Sequence, residues 1–140
     1  MLSIVGTLDL SEYGNSINGL MDEQNNPLLN SLPNITGINI QGCSGITGTL
    51  DFTNCKYLQT VNTKNTNTGV ILPQYTKVTT LELGNPVQLV LNNPYYPINI
   101  TIQSSSNLNS LELDYINTAG YVDAANGNVN SYNLFNTLTT

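Results

Sequence analysis

Residues 81–105 read LELGNPVQLVLNNPYYPINITIQSS, and the rhythm of this stretch decides the fold. Three times the chain writes apolar, any, apolar, a polar or small residue, a turn residue, then Pro or Ser. The units are Leu81-Glu82-Leu83-Gly84-Asn85-Pro86, Leu89-Val90-Leu91-Asn92-Asn93-Pro94 and Ile100-Thr101-Ile102-Gln103-Ser104-Ser105. Upstream the template recurs at Ile38-Asn39-Ile40-Gln41-Gly42-Cys43, Leu50-Asp51-Phe52-Thr53-Asn54-Cys55 and Val61-Asn62-Thr63-Lys64-Asn65-Thr66. Downstream it recurs at Leu111-Glu112-Leu113-Asp114-Tyr115-Ile116. A further apolar residue precedes each unit: Ile35, Ile46, Leu58, Val78, Val87, Ile98 and Leu108. Val70-Ile71-Leu72-Pro73, in the widest gap, reads as a degenerate eighth unit. One phase kept over so much chain is the mark of a repeat architecture.

Strand side chains alternate with period two, so the two apolar residues of a unit face one way and the residue between them faces the other. Asn39, Asp51, Asn62, Glu82, Val90, Thr101 and Glu112 are therefore expected to face outward. Each unit is too small to bury its own apolar face, so neighbouring units must stack. Gly42, Asn54, Asn65, Asn85 and Asn93 share one template position, and Gly and Asn tolerate the left-handed backbone of a sharp corner. Stacked Asn side chains can also join in amide ladders. Pro86 and Pro94 then fix the exit direction.

At 140 residues the chain is one domain's worth, long enough to bury a core. It carries three lysines, no arginine, no histidine and a net charge of −6. Nucleic acid is therefore not an expected partner, since its phosphates call for clustered cations. Polarity comes instead from 23 asparagines and 17 threonines. No apolar run approaches the roughly 20 residues that span a bilayer, and the N-terminus lacks the basic start and apolar core of a signal peptide. The expectation is a chain neither inserted in a membrane nor marked for export.

The ends differ from the middle. Residues 1–34 are read as an early strand at Leu8-Asp9-Leu10 and an insertion, part of the same domain. Within the insertion Ser16 can cap a short helix through Gln24, and Pro27-Leu28-Leu29 can start another helical turn that stops before Pro33. An irregular excursion is the alternative. Residues 35–118 form the repeat solenoid. Residues 119–140 lose the repeat, with a short helix expected over Ser131 to Leu138.

Leu58-Gln59-Thr60-Val61 before Asn62, and Leu108-Asn109-Ser110-Leu111-Glu112-Leu113, resemble the LxxLxL strand of leucine-rich repeats. The Gly-Cys and Asn-Cys ends resemble the position that closes that strand. Pairing alternate units gives turns of about 19 to 23 residues (Ile38 to Val61 to Leu81 to Ile100), within the leucine-rich range. The wording is closest to divergent Asn/Thr-rich repeats of BspA-like bacterial surface proteins and of virion proteins in crAss-like phages, over residues 29–118. The resemblance implies a mainly β, right-handed leucine-rich-repeat-like solenoid. It further implies a non-enzymatic structural or protein-interaction module, located in a phage tail or portal vertex, or alternatively on a bacterial cell surface as an adhesin for host protein or glycan. Other proteins of an assembly, or further copies of the chain, are the implied partners. The sequence departs from the family in lacking a regular helix in each turn, which leaves a helix-poor β-solenoid open.

Cys43 and Cys55 end their units at equivalent corners. They read as buried structural thiols, with a disulfide or a metal half-site as the alternatives, although no histidine is present to complete a zinc site. Asp51, Glu82 and Glu112 read as a solvated face. The competing idea is a glycosidase-type acid–base pair on a polysaccharide-active solenoid. Calcium held by Asp114 and Asp123 lacks a recognisable ligand loop. Asn34-Ile35-Thr36 and Asn99-Ile100-Thr101 match the glycosylation pattern, as an Asn/Thr-rich chain will do by chance. No catalytic residue, cofactor or metal site is expected. The best contact candidate is Pro94-Tyr95-Tyr96-Pro97, a proline-bracketed aromatic corner suited to a protein or a sugar.

Overall fold

The apolar-any-apolar units become short strands. A computed structural model describes residues 4–21, 23–92, 95, 98–104, 106–114, 121–124 and 132–133. Its strands are β1 (Gly6–Asp9), β2 (Ile35–Asn39), β3 (Gly48–Asp51), β4 (Thr60–Thr63), β5 (Thr68–Ile71) and β6 (Thr80–Leu83). They continue as β7 (Gln88–Asn92), β8 (Asn99–Ile102), β9 (Ser110–Asp114), β10 (Tyr121–Ala124) and β11 (Tyr132–Asn133). From β2 to β10 alternate strands pair. β1-β2-β4-β6-β8-β10-β11 make a seven-stranded sheet, and β3-β5-β7-β9 a four-stranded one. Every strand pair is parallel except β10 with β11. The chain is thus a mainly β, parallel β-solenoid whose repeating turns give one strand to each sheet.

Its register follows the repeat. Ile38, Val61, Leu81 and Ile100 stand opposite one another in successive strands, so alternate units are neighbours across turns of 19–23 residues. On the other sheet Leu50, Val70, Leu89 and Leu111 align in the same way. Val70-Ile71-Leu72-Pro73 is therefore a full member of the repeat. The inward residues of both sheets form one core, with Phe52, Leu58, Leu81, Leu83, Leu89 and Leu91 completely or almost completely buried.

Thr63 is an exception inside this core. It stands opposite Leu83, is wholly buried, and its hydroxyl has no hydrogen-bond partner among the described residues. An unpaired buried hydroxyl costs about 1–3 kcal/mol, and valine has nearly its shape without that group. Thr63→Val is accordingly expected to raise the urea midpoint, by about 1 kcal/mol of stability. A lowered midpoint would show that the hydroxyl is satisfied.

The corners are built in two ways. At four strand ends a short side chain accepts from the backbone two residues on: Asp9 from Ser11 N–H at 3.0 Å, Asn39 from Gln41 at 3.0 Å, Asp51 from Thr53 at 2.9 Å and Asn62 from Lys64 at 3.0 Å. These bonds turn the chain as a backbone turn would. Glu82 is too long for this and lies 3.3 Å from Lys64 Nζ in a surface ion pair. Of the expected left-handed corners, Gly42 (φ 78) and Asn65 (φ 60) adopt that backbone, whereas Asn54 and Asn85 do not. Their amides work instead. Asn85 Nδ2 donates to Ser106 Oγ at 3.1 Å and its Oδ1 accepts from Asn107 N–H at 3.2 Å, while Asn54 Nδ2 reaches Asn30 Oδ1 at 3.4 Å. Asn65 and Gln103 exchange two bonds, 2.8 and 3.1 Å, and Asn62 Nδ2 donates to Gln41 Oε1 at 3.1 Å. Asn93 lies outside the described residues.

The ends correct two expectations. The helix expected over Ser16 to Gln24 is absent among the described residues. A 3-10 turn over Ser11–Ser16 precedes it, broken by Gly14 at φ 53, and Gly19 at φ 94 again leaves helical space. The chain then folds back on itself, Leu28 N–H donating to Leu20 O at 2.9 Å, and buries Leu20, Leu29 and Leu32 in the core. The second expected turn forms as a 3-10 helix over Leu28–Ser31. Near the C-terminus, Tyr132–Asn133 is a strand antiparallel to β10, where a helix from Ser131 to Leu138 was expected. An open sheet edge offers a row of backbone partners, and this segment takes them. The rest of that segment lies outside the described residues.

Candidate functional site

One corner gathers most of the chain's distinctive side chains. Where the chain returns from the four-stranded to the seven-stranded sheet, parallel pairing continues one residue ahead of the strands. Gln59 N–H donates to Thr36 O at 2.7 Å, Thr79 N–H to Gln59 O at 2.9 Å, and Asn99 N–H to Thr79 O at 2.9 Å. Beside this ladder Ile35, Leu58, Val78 and Ile98 point into the core. Alternation then puts Asn34, Tyr57 and Lys77 at equivalent positions on the outside. Tyr95 N–H donates to Thr76 O at 2.8 Å, which fixes Tyr95 against the preceding turn.

Successive turns therefore each present an exposed tyrosine: Tyr57 (56 % exposed), Tyr75 (63 %) and Tyr95 (61 %). Two depressions adjoin here. One, of about 440 Å³, is lined by Asn34, Thr36, Tyr57, Gln59 and Lys77 with Val5; the other, of about 370 Å³, includes Lys56, Gln74 and Tyr75, and both share Tyr57 and Lys77. Lys77 Nζ lies 5.8 Å from the Tyr95 ring centre, within reach of a cation–π attraction. Tyr75 holds φ 60, a left-handed backbone that is costly for a bulky residue.

Of the expected contact residues, Tyr95 belongs to this corner, while Pro94, Tyr96 and Pro97 lie outside the described residues. Tyr57, Tyr75, Lys56 and Lys77 are added by the structure. Their signal in the sequence was present but lay ahead of each unit, in Lys56-Tyr57 before Val61 and Tyr75-Thr76-Lys77 before Leu81.

Cys43 and Cys55 are free thiols, both fully buried. Cys43 Sγ donates to Leu10 O at 3.2 Å, and Cys55 Sγ reaches Leu32 O at 3.5 Å and Leu29 O at 3.7 Å. The thiols thus satisfy carbonyls of the N-terminal segment that packs over the first turn. Burial raises both thiol pKa values, and the charges of Asp9 and Asp51 add to the effect; Cys55 is pushed up from 9.0 to about 11. A folded-state value above the unfolded one favours the folded state fully below pH 9.0, and the advantage is lost as pH rises toward about 11. The stability difference between wild type and Cys55→Ala is expected to be constant below pH 9.0 and to shrink above it. Urea midpoints across that range measure this, and a difference independent of pH would contradict it.

The strand register keeps the acidic positions apart. Asp51 lies on the four-stranded sheet and Glu82 on the seven-stranded one. Asp51 and Glu112 share a row, with Ile71 and Val90 between them. Three strand spacings are about 14 Å. Glycosidase pairs need about 5–9.5 Å. Asp114 and Asp123 also belong to different sheets. Among the described residues no cluster of three His, Cys, Asp or Glu side chains is placed to hold a metal, and no helix is long and apolar enough to cross a membrane.

Fold and corner together define a class: a two-sheet parallel β-solenoid with an aromatic and cationic edge. Comparison with protein-family models, curated proteins and solved structures found no match to this chain.

Proposed function

We propose that the chain is a non-enzymatic structural and protein-interaction module, a stiff stack that docks through its outward faces and corners. The observation that carries this reading is the row of three exposed tyrosines, each from a different turn, beside the backbone ladder that joins those turns. Rigid aromatic side chains give large contact area at little entropic cost, and they dominate the energetics of protein interfaces. The polar rows Asn39, Asn62, Glu82, Thr101 and Thr60, Thr80, Asn99 supply flat surroundings for such contacts. The resemblance to crAss-like phage repeats extends the proposal to a virion component near the tail or portal vertex, assembled with other proteins or with its own copies. The adhesin reading rests on the BspA-like side of the same resemblance.

Light scattering of the purified chain across concentration tests the assembly part. Defined or open-ended association is the expected result. A monomer at every concentration, unable to join a co-expressed neighbour from the same genomic region, would overturn it.

A further inference from the structure

We infer that the tyrosine–lysine corner also binds a linear, carboxylate-bearing polysaccharide laid along the stack. Charge is the first argument. The chain carries −6 overall, yet two of its three lysines, Lys56 and Lys77, line the paired depressions, and no described acidic side chain does. The corner is a cationic spot on an anionic protein, suited to an anionic ligand.

The rest of the lining fits a sugar. Tyr57 and Tyr75 offer exposed apolar ring faces, while the amides of Asn34, Gln59 and Gln74 can each donate to and accept from neighbouring hydroxyls. Each depression has the volume of a small-molecule site, about 300–1,000 Å³. Two of them side by side, sharing Tyr57 and Lys77, suit an oligomer better than a single ring.

Direction separates a glycan from a peptide. Extended peptides gain affinity by hydrogen-bonding an open strand edge. At this corner the backbone groups of Thr36, Gln59, Thr79 and Asn99 already bond one another along the ladder. A ligand lying across the turns meets side chains only, at a step of about 4.8 Å per turn. A polymer with a short repeat matches that arrangement. The site shares the tyrosine corner with the protein docking proposed above, but it is argued from the charge and lining of the depressions and does not depend on that reading.

The probe is oligogalacturonate, a carboxylate-bearing sugar chain without sulfate. Binding is read by calorimetry and by tyrosine fluorescence, which no tryptophan obscures. Saturable binding is expected, weakened about tenfold by Tyr57→Ala and by Lys77→Gln, with a shallower salt dependence in the lysine variant. Tyr13→Ala, an exposed tyrosine of the N-terminal 3-10 turn, should leave affinity unchanged. No saturable binding would overturn the inference, as would equal loss in the Tyr13 variant. Equal affinity for polyglutamate would replace the sugar with an acidic peptide, and equal affinity for a neutral galacto-oligosaccharide would remove the role of charge. Association of the chain in light scattering bears on the docking proposal alone, so the two can fail separately.

Discussion

Leu81→Ala is expected to destabilise the protein by about 2–5 kcal/mol, the usual cost of emptying a buried leucine site. Leu81 is fully buried in the middle of the inward column Leu8, Ile38, Val61, Leu81, Ile100. In a stack each turn is supported only by its two neighbours, so a hole at the centre weakens both interfaces at once. Leu8→Ala removes the same atoms from the same column. Leu8, however, is only partly buried, in the first strand of the sheet, and its loss should cost about 1 kcal/mol. Urea unfolding of the two variants measures the contrast. Equal losses would mean that Leu81 does not sit between two turns.

Gly84→Ala should cost about 1–3 kcal/mol although it adds a single methyl group. The added carbon would meet the Thr66 carbonyl oxygen, with Thr66 N at 2.8 Å and Thr63 O at 2.9 Å. All three are backbone atoms of the preceding turn, so relief requires the turns to separate. The same approach lets Asn85 N–H donate to Thr66 O at 2.8 Å and lets the Asn65–Gln103 amide pair form across the intervening turn. A lower melting temperature with loss of amide-exchange protection at Asn85 is the expected result. An unchanged midpoint would mean that the turns are looser than the close approach of Gly84 requires.

The stack was legible in the sequence because its core obeys two periods at once. Period two within Leu81-Glu82-Leu83 marks a strand, and the 19–23-residue return to Val61 and Ile100 marks its neighbours. The second sheet was harder to read, since Val70-Ile71-Leu72 is apolar throughout and hides its alternation. The N-terminal segment takes the irregular of its two expected forms for a different reason. Ser16 resembles a helix cap, but Gly14 and Gly19 adopt left-handed backbone and Leu20 is drawn into the core, so tertiary burial overrode the local signal. Asn54 and Asn85 look like left-handed corners by position and serve as amide bridges instead, a choice that depends on which neighbours the stack brings near. The candidate site was half visible. Tyr95 stood out between prolines, whereas Tyr57, Tyr75 and Lys77 belong together only once alternate units are laid side by side.

Disulfide trapping tests the pairing of alternate units most directly. The two native thiols are buried, so cysteines introduced at outward positions report on register alone. Asn62 and Glu82 are register partners on neighbouring strands, within the Cα separation of about 4.4–6.8 Å that a disulfide bridges. Asn62 and Ile71 come from consecutive units but lie on different sheets. Under mild oxidation the Asn62→Cys/Glu82→Cys double variant should cross-link, and Asn62→Cys/Ile71→Cys should not. The reverse pattern would place consecutive units side by side in one sheet and contradict the two-sheet solenoid.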